Sequence, residues 1–128
     1  IFAFEFITKM NLAYAAADIV ISRAGASSVS ELCNLAMPCI LVPSPNVAED
    51  HQAKNAMALV NKEAALLVKD TDALSNLVKV AIALTGDNAQ KEKLSRNISK
   101  MAFHNSANVI AKEVLKLAGY SIDEGAGL

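Results

Sequence analysis

The sequence predicts an α/β domain built on a parallel sheet. Three observations carry that prediction. Short, continuous apolar runs recur along the chain: "DIVIS" (18–22), "CILVP" (39–43) and "AALLV" (64–68). Unbroken runs of this length suit strands covered on both faces. Between them lie segments whose apolar residues follow helical spacing. The connecting loops are short, which favours right-handed strand–helix–strand crossovers. At 128 residues, 53% apolar and 20% charged, the chain can bury the core of one domain and is too apolar for a disordered segment.

The elements follow in order. Residues 2–7, "FAFEFI", read as a strand with one charged position, and the alanine-rich "KMNLAYAAA" (9–17) as a short helix. After the strand at 18–22, a helix runs from about Ser28 to Ala36. Pro38 stops it, because the residue before proline avoids helical geometry. The strand at 39–43 leads into the loop "PSPNVAED" (43–50), which holds two of the three prolines. A helix over 50–61 then places Ala53, Ala56, Met57 and Val60 on an i, i+3, i+4, i+7 stripe. The strand at 64–68 precedes a helix from Thr71 to Leu84, with Leu74, Leu77, Val78, Ala81 and Ile82 facing the core and a stop near Gly86. Two further helices cover 88–103 and 106–118, the second capped by Ser106 and stopped by Gly119. Residues 120–128 read as a frayed tail after a domain spanning 1–119. The chain begins at Ile1, inside an apolar run and without methionine, so it reads as a fragment whose upstream part is missing.

Composition excludes several functions. Lysine plus arginine (12) nearly cancels aspartate plus glutamate (13), which argues against a nucleic-acid binder that relies on bulk charge. Four phenylalanines and two tyrosines form no stacking platform for bases. Cys33 and Cys39 read as buried free thiols in a reducing compartment. No CxxC or Cys/His cluster offers a metal site, and His104 lies far along the chain from His51 as a surface residue at a helix end. No apolar run approaches the roughly 20 residues of a membrane span, and no signal peptide is present.

Ligands of open parallel sheets bind beyond the carboxyl ends of the strands, where loops enter helices. Two such loops stand out. In "SRAGASSVSEL" (22–32), a helix start offers unpaired amides and a partial positive charge that attract phosphate. Ala24, Gly25 and Ala26 allow close backbone approach, and Ser27 and Ser28 can donate hydroxyl hydrogen bonds. The same stretch also fits a capping box, Ser28-x-x-Glu31, in which Glu31 folds onto the helix's own first amides. Neither GxGxxG nor GxxxxGK[ST] occurs. In "AEDHQAKNA" (48–56), His51 and Asn55 are four apart and Gln52 and Asn55 three apart, so they share a surface. Amides both donate and accept, which suits hydroxyl recognition; an ordinary solvated helix start is the competing reading.

Together, "ADIVISRAGASSVSEL" and "PCILVPSP…DHQAKNA" resemble the C-terminal domain of MurG-type glycosyltransferases over about residues 2–119. The resemblance implies the C-terminal half of a two-domain GT-B fold, a Rossmann-like parallel-sheet domain. It implies an inverting transfer of N-acetylglucosamine from UDP-GlcNAc to a lipid-linked muramyl-pentapeptide in peptidoglycan synthesis. The donor would be held largely here. Ile7 would offer its backbone to the uracil edge, and Ala26, Ser27, Ser28 and Val29, with Ser30 beside them, would line the diphosphate and sugar. Glu31 would take the ribose hydroxyls and Gln52 those of the sugar ring, with His51 and Asn55 adjacent. Arg23 and Gly25 are secondary candidates. Where the family often carries threonine this chain has Ser28, which keeps the hydroxyl. No cofactor, metal or nucleic acid is implied. The general base, the lipid acceptor site and the membrane-docking surface are expected in a further N-terminal domain, so no catalytic residue is assigned here. The implied location is peripheral, at the cytoplasmic face of the bacterial inner membrane. Alternatives are a related transferase with another lipid or polyprenyl acceptor, including one split over two chains, and a non-catalytic nucleotide-sugar binding module.

Overall fold

The computed structural model describes residues 1–45 and 50–120. Part of the 43–50 loop and most of the 120–128 tail therefore lie outside the described residues. Three short parallel strands, β1 (Val20–Ser22), β2 (Cys39–Leu41) and β3 (Leu66–Leu67), form a sheet in the order β1-β2-β3. Val20, Ile21 and Ser22 pair with Cys39, Ile40 and Leu41, and Ile40 and Leu41 pair with Leu66 and Leu67. The strands occupy the three apolar runs named above, though each is shorter than its run.

The helices are α1 (Met10–Ala16), α2 (Ala26–Asn34), α3 (His51–Val60), α4 (Ala73–Gly86), α5 (Asn88–Ser99) and α6 (Ser106–Leu117), with a 3-10 turn at Asp70–Asp72 before α4. α2 carries the chain from β1 to β2, and α3 carries it from β2 to β3. Central β2 is buried along its whole length, because side chains alternate between two cores. Cys39 and Leu41 join Leu32, Cys33, Ala56, Leu59 and Ile98 in one cluster, while Ile40 joins Val42, Val68, Leu84 and Leu94 in the other. Helix α5 serves both, through Ile98 and Leu94.

Four expectations change. Residues 2–7 form no strand, and Phe2, Phe4 and Phe6 are exposed. A strand is held by ladder bonds to a neighbour, and the sheet of the described residues ends at β1. In α3, Leu59 and Ala56 are buried while Met57 is partly exposed, so Leu59 replaces Met57 as the inward anchor. In α4, Leu84 is buried and Leu77, Val80 and Ala81 pack on the second cluster, whereas Leu74, Val78 and Ile82 face outward. α4 is apolar around most of its circumference, so its spacing allowed more than one inward face. In α6, Asn105 at φ 61° is the N-cap and Ser106 the first helical residue, with no side-chain cap. Gly119 does end α6, at φ 81° with the Tyr120 amide donating to the Leu115 carbonyl at 3.0 Å, the pattern of a left-handed helix stop. No helix among the described residues is long and apolar enough to cross a membrane.

Candidate functional site

The carboxyl ends of β1, β2 and β3 meet at one edge of the sheet, and the polar residues there brace each other. After β1, Arg23 donates from a guanidinium nitrogen to the Val42 carbonyl at 3.1 Å and forms an ion pair with Asp70. Arg23 thus links the ends of all three strands. The pair is largely exposed, so its worth lies in orientation more than in stability. The Ala24 carbonyl accepts a 3.0 Å bond from the Asn55 side-chain amide. The Gln52 side-chain oxygen accepts from the Ser44 amide at 2.9 Å. Both bonds pull the start of α3 against the loops that leave β1 and β2. They leave the Gln52 amide nitrogen to donate and the Asn55 oxygen to accept.

Helix α2 starts two residues earlier than the sequence suggested. Gly25 is its N-cap, in extended geometry (φ −65°, ψ 149°), and no side chain caps it. The first helical bond runs from the Val29 amide to the Gly25 carbonyl at 2.9 Å. The amides of Ala26, Ser27 and Ser28 precede it and so lack intrahelical acceptors. Ser28 sits inside the first turn, and the capping box does not form. Glu31 instead turns away from that turn, and its Oε2 accepts a 3.0 Å bond from the Tyr14 hydroxyl of α1. Burial, then the hydrogen bond and charge of Glu31, push the Tyr14 hydroxyl above its ordinary titration range. A phenol is protonated at neutral pH in any case, and here it remains a donor further into the alkaline range.

Two clefts flank α2. One of about 330 Å³ lies between α1 and α2, lined by Met10, Asn11, Tyr14, Glu31, Asn34 and Leu35. The other, of about 260 Å³, lies toward α3, and its lining includes Ala26, Val29, Ser30 and Asn55. The twelve residues singled out above are therefore not one wall. Glu31, with Asn34 and Leu35 further along, faces the α1 side, while Ala26, Val29 and Ser30 face the α3 side. Val29 is half-buried against the core, and its amide is already used within the helix. His51 opens α3 and is exposed. Ile7 precedes α1 outside any strand or helix.

Cys33 and Cys39 are free and buried, and burial raises both thiols, Cys39 to about 12. Neither is poised for nucleophilic work. Among the described residues, no three His, Cys, Asp or Glu side chains gather as a metal site. Two residues of the site escaped sequence reading. Asp70 lies 47 positions from Arg23 and Tyr14 lies 17 from Glu31. The clue for Tyr14 was its place as the one aromatic residue in an alanine-rich helix. For Asp70 the clue was its position just past the third apolar run.

The family model described as the glycosyltransferase family 28 C-terminal domain matches residues 1–114. A Bacteroides thetaiotaomicron protein named UDP-N-acetylglucosamine–N-acetylmuramyl-(pentapeptide) pyrophosphoryl-undecaprenol N-acetylglucosamine transferase is 57% identical over 114 residues, covering 89% of this chain and 31% of that protein. A Bacteroides fragilis protein of the same name is 58% identical over 121 residues, covering 94% of this chain and 32% of its own length. The chain spans about a third of the length of the curated relatives it matches. The crystal structure of Acinetobacter baumannii MurG superposes with a TM-score of 0.80 at 25% identity, over 88% of this chain and 34% of that one. With its parallel sheet, its helix starts at the strand ends and a family match over nearly all its length, the chain belongs to the glycosyltransferase family 28 C-terminal domain family.

Proposed function

We propose that this chain supplies the donor-binding part of an inverting hexosyltransferase. The transferase moves N-acetylglucosamine from UDP-GlcNAc to the lipid-linked muramyl-pentapeptide of peptidoglycan synthesis. The reaction name carried by relatives at 57–58% identity supports this reading. The observation that carries it is the uncapped start of α2, beside the α3-side cleft that Ala26 lines, with Glu31 and the α1-side cleft further along the same helix. A nucleoside diphosphate sugar has a part for each of these three places. The diphosphate meets the amides of Ala26, Ser27 and Ser28, the ribose reaches Glu31 on the α1 side, and the sugar lies toward Gln52, Asn55 and Ser30 on the α3 side. Ile7 reaches the uracil edge through its backbone.

The chemistry follows from this placement. As the sugar leaves, negative charge grows on the UDP phosphates, and fixed helix amides stabilise it where it develops. Arg23, braced by Val42 and neutralised by Asp70, keeps further guanidinium N–H groups at the same edge as hydrogen-bond donors. The acceptor hydroxyl attacks the anomeric carbon from the opposite face, which inverts it. The general base, acceptor site and membrane contacts lie outside residues 1–119 in this reading. The whole enzyme works peripherally at the cytoplasmic face of the inner membrane and needs no cofactor.

Calorimetric titration of the intact protein with UDP-GlcNAc tests the assignment. Glu31→Ala should weaken binding about tenfold or more, the effect of losing hydrogen bonds to a charged acceptor. Unchanged affinity would remove Glu31 from the donor site.

A further inference from the structure

Glu31 lies on an exposed stretch of α2, where a glutamate with three rotatable bonds samples many orientations and must give them up to hold a ligand. Here the carboxylate is already engaged. The Tyr14 hydroxyl donates to its Oε2 at 3.0 Å, while the Tyr14 ring is half-buried against the core cluster that includes Leu32 and Cys33. The packed Tyr14 ring therefore holds a side chain that would otherwise turn freely. Both side chains line the cleft of about 330 Å³ between α1 and α2, with Met10 and Leu35 as its apolar sides.

We propose that Tyr14 is a positioning residue: it aims the Glu31 carboxylate into the cleft so that it receives both hydroxyls of a ribose, and so makes the site select a ribonucleotide over its 2′-deoxy counterpart. The inference rests on the donor reading given above. An ionised carboxylate has about four lone-pair sites. One bond from Tyr14 leaves Oε1 and part of Oε2 for two vicinal hydroxyls. A ligand lacking the 2′-hydroxyl leaves one of those directions unfilled, and a carboxylate held by Tyr14 cannot turn freely to compensate. Fixing a side chain before the ligand arrives improves affinity by reducing what must be ordered on binding.

Titration of UDP and of 2′-deoxy-UDP into the intact protein tests this in four forms: unaltered, Tyr14→Phe, Glu31→Ala and the double variant. Tyr14→Phe keeps the packed ring and removes only the hydroxyl. It should weaken UDP about three- to tenfold and 2′-deoxy-UDP far less. It should cause no further loss once Glu31 is alanine. In turnover, KM for UDP-GlcNAc should rise while kcat at saturating donor holds. A merely structural tie of α1 to the core would weaken both nucleotides equally and lower the melting temperature without this split. The unaltered protein gives an independent reading, since equal affinity for UDP and 2′-deoxy-UDP overturns the selectivity. If Glu31→Ala weakens UDP but Tyr14→Phe does not, or if the two losses multiply in the double variant, Tyr14 has no positioning role and the donor reading survives. If Glu31→Ala itself has no effect, the Glu31 part of the donor reading fails and the role of Tyr14 fails with it.

Discussion

Gly25 and Ala36 stand at the two ends of the segment that gives the site its shape, and their backbone conformations invert the usual expectation. Gly25 has φ −65° and ψ 149°, which any residue adopts. A Cβ there would meet only the Ser28 hydroxyl, at 3.9 Å, an ordinary contact. The fold therefore does not require glycine at 25, whereas the proposed phosphate approach to the α2 amides would. Gly25→Ala should change stability by no more than about 0.5 kcal/mol while weakening UDP-GlcNAc binding. Denaturant unfolding beside a binding titration checks it, and a large loss of stability would refute it. Ala36 is the reverse case, with φ 52° and a 3.0 Å bond from the Met37 amide to the Leu32 carbonyl. That left-handed stop favours glycine, so Ala36→Gly should raise stability by about 1 kcal/mol, seen as a higher denaturant midpoint. Little of this was readable from spacing. The small residues of "RAGA" signalled close approach, but the helix start was misplaced because Ser28-x-x-Glu31 mimics a capping box. The box is absent because Gly25 is the N-cap and Ser28 already lies within the helix, while Glu31 bonds to Tyr14 instead. Spacing rules within a helix cannot show a bond between α1 and α2.

At the level of elements, existence and type were largely legible and orientation was not. The runs at 18–22, 39–43 and 64–68 became strands, although only β2 is buried along its whole length and Ile21 of β1 is exposed. Helices α1 to α6 fall within a few residues of where composition, periodicity, proline and glycine placed them. α4 shows the limit. Its sequence, ALSNLVKVAIALTG, carries apolar residues on nearly every side, so periodicity alone cannot select the inward face. Packing selects it: Leu84 is 2% exposed and lies beside Leu94 of α5 in the second cluster, while Leu74 is fully exposed. Two identical substitutions on one helix therefore separate the two faces. Leu84→Ala should destabilise by about 2–5 kcal/mol, since it removes buried methyl groups and leaves a void. Leu74→Ala should show no measurable loss by the same thermal or denaturant unfolding. Similar losses at both positions would mean that α4 packs by the face the sequence favoured.

For the whole molecule, central β2 lies between the two core clusters, and its first residue, Cys39, is wholly buried in one of them. The apolar continuity of "CILVP" already pointed to a strand covered on both faces. The apolar "FAFEFI" gave the same local signal without becoming a strand, because strand formation depends on a neighbour as well as on composition. Cys39 also couples the core to pH. Burial, with a smaller contribution from nearby Cys33, raises its thiol from 9.0 to about 12, since a thiolate in an apolar core is poorly solvated. The unfolded chain releases this proton first. The contribution to stability is therefore complete below about pH 9 and is lost progressively as pH rises toward 12. Melting temperature should accordingly fall with increasing slope above pH 9. Cys39→Ala should be less stable at neutral pH, because it leaves a small void, yet show a shallower decline between pH 9 and 11. Cys33, also raised by burial, would account for part of the remaining slope. An unchanged slope in Cys39→Ala would show that other groups drive alkaline unfolding.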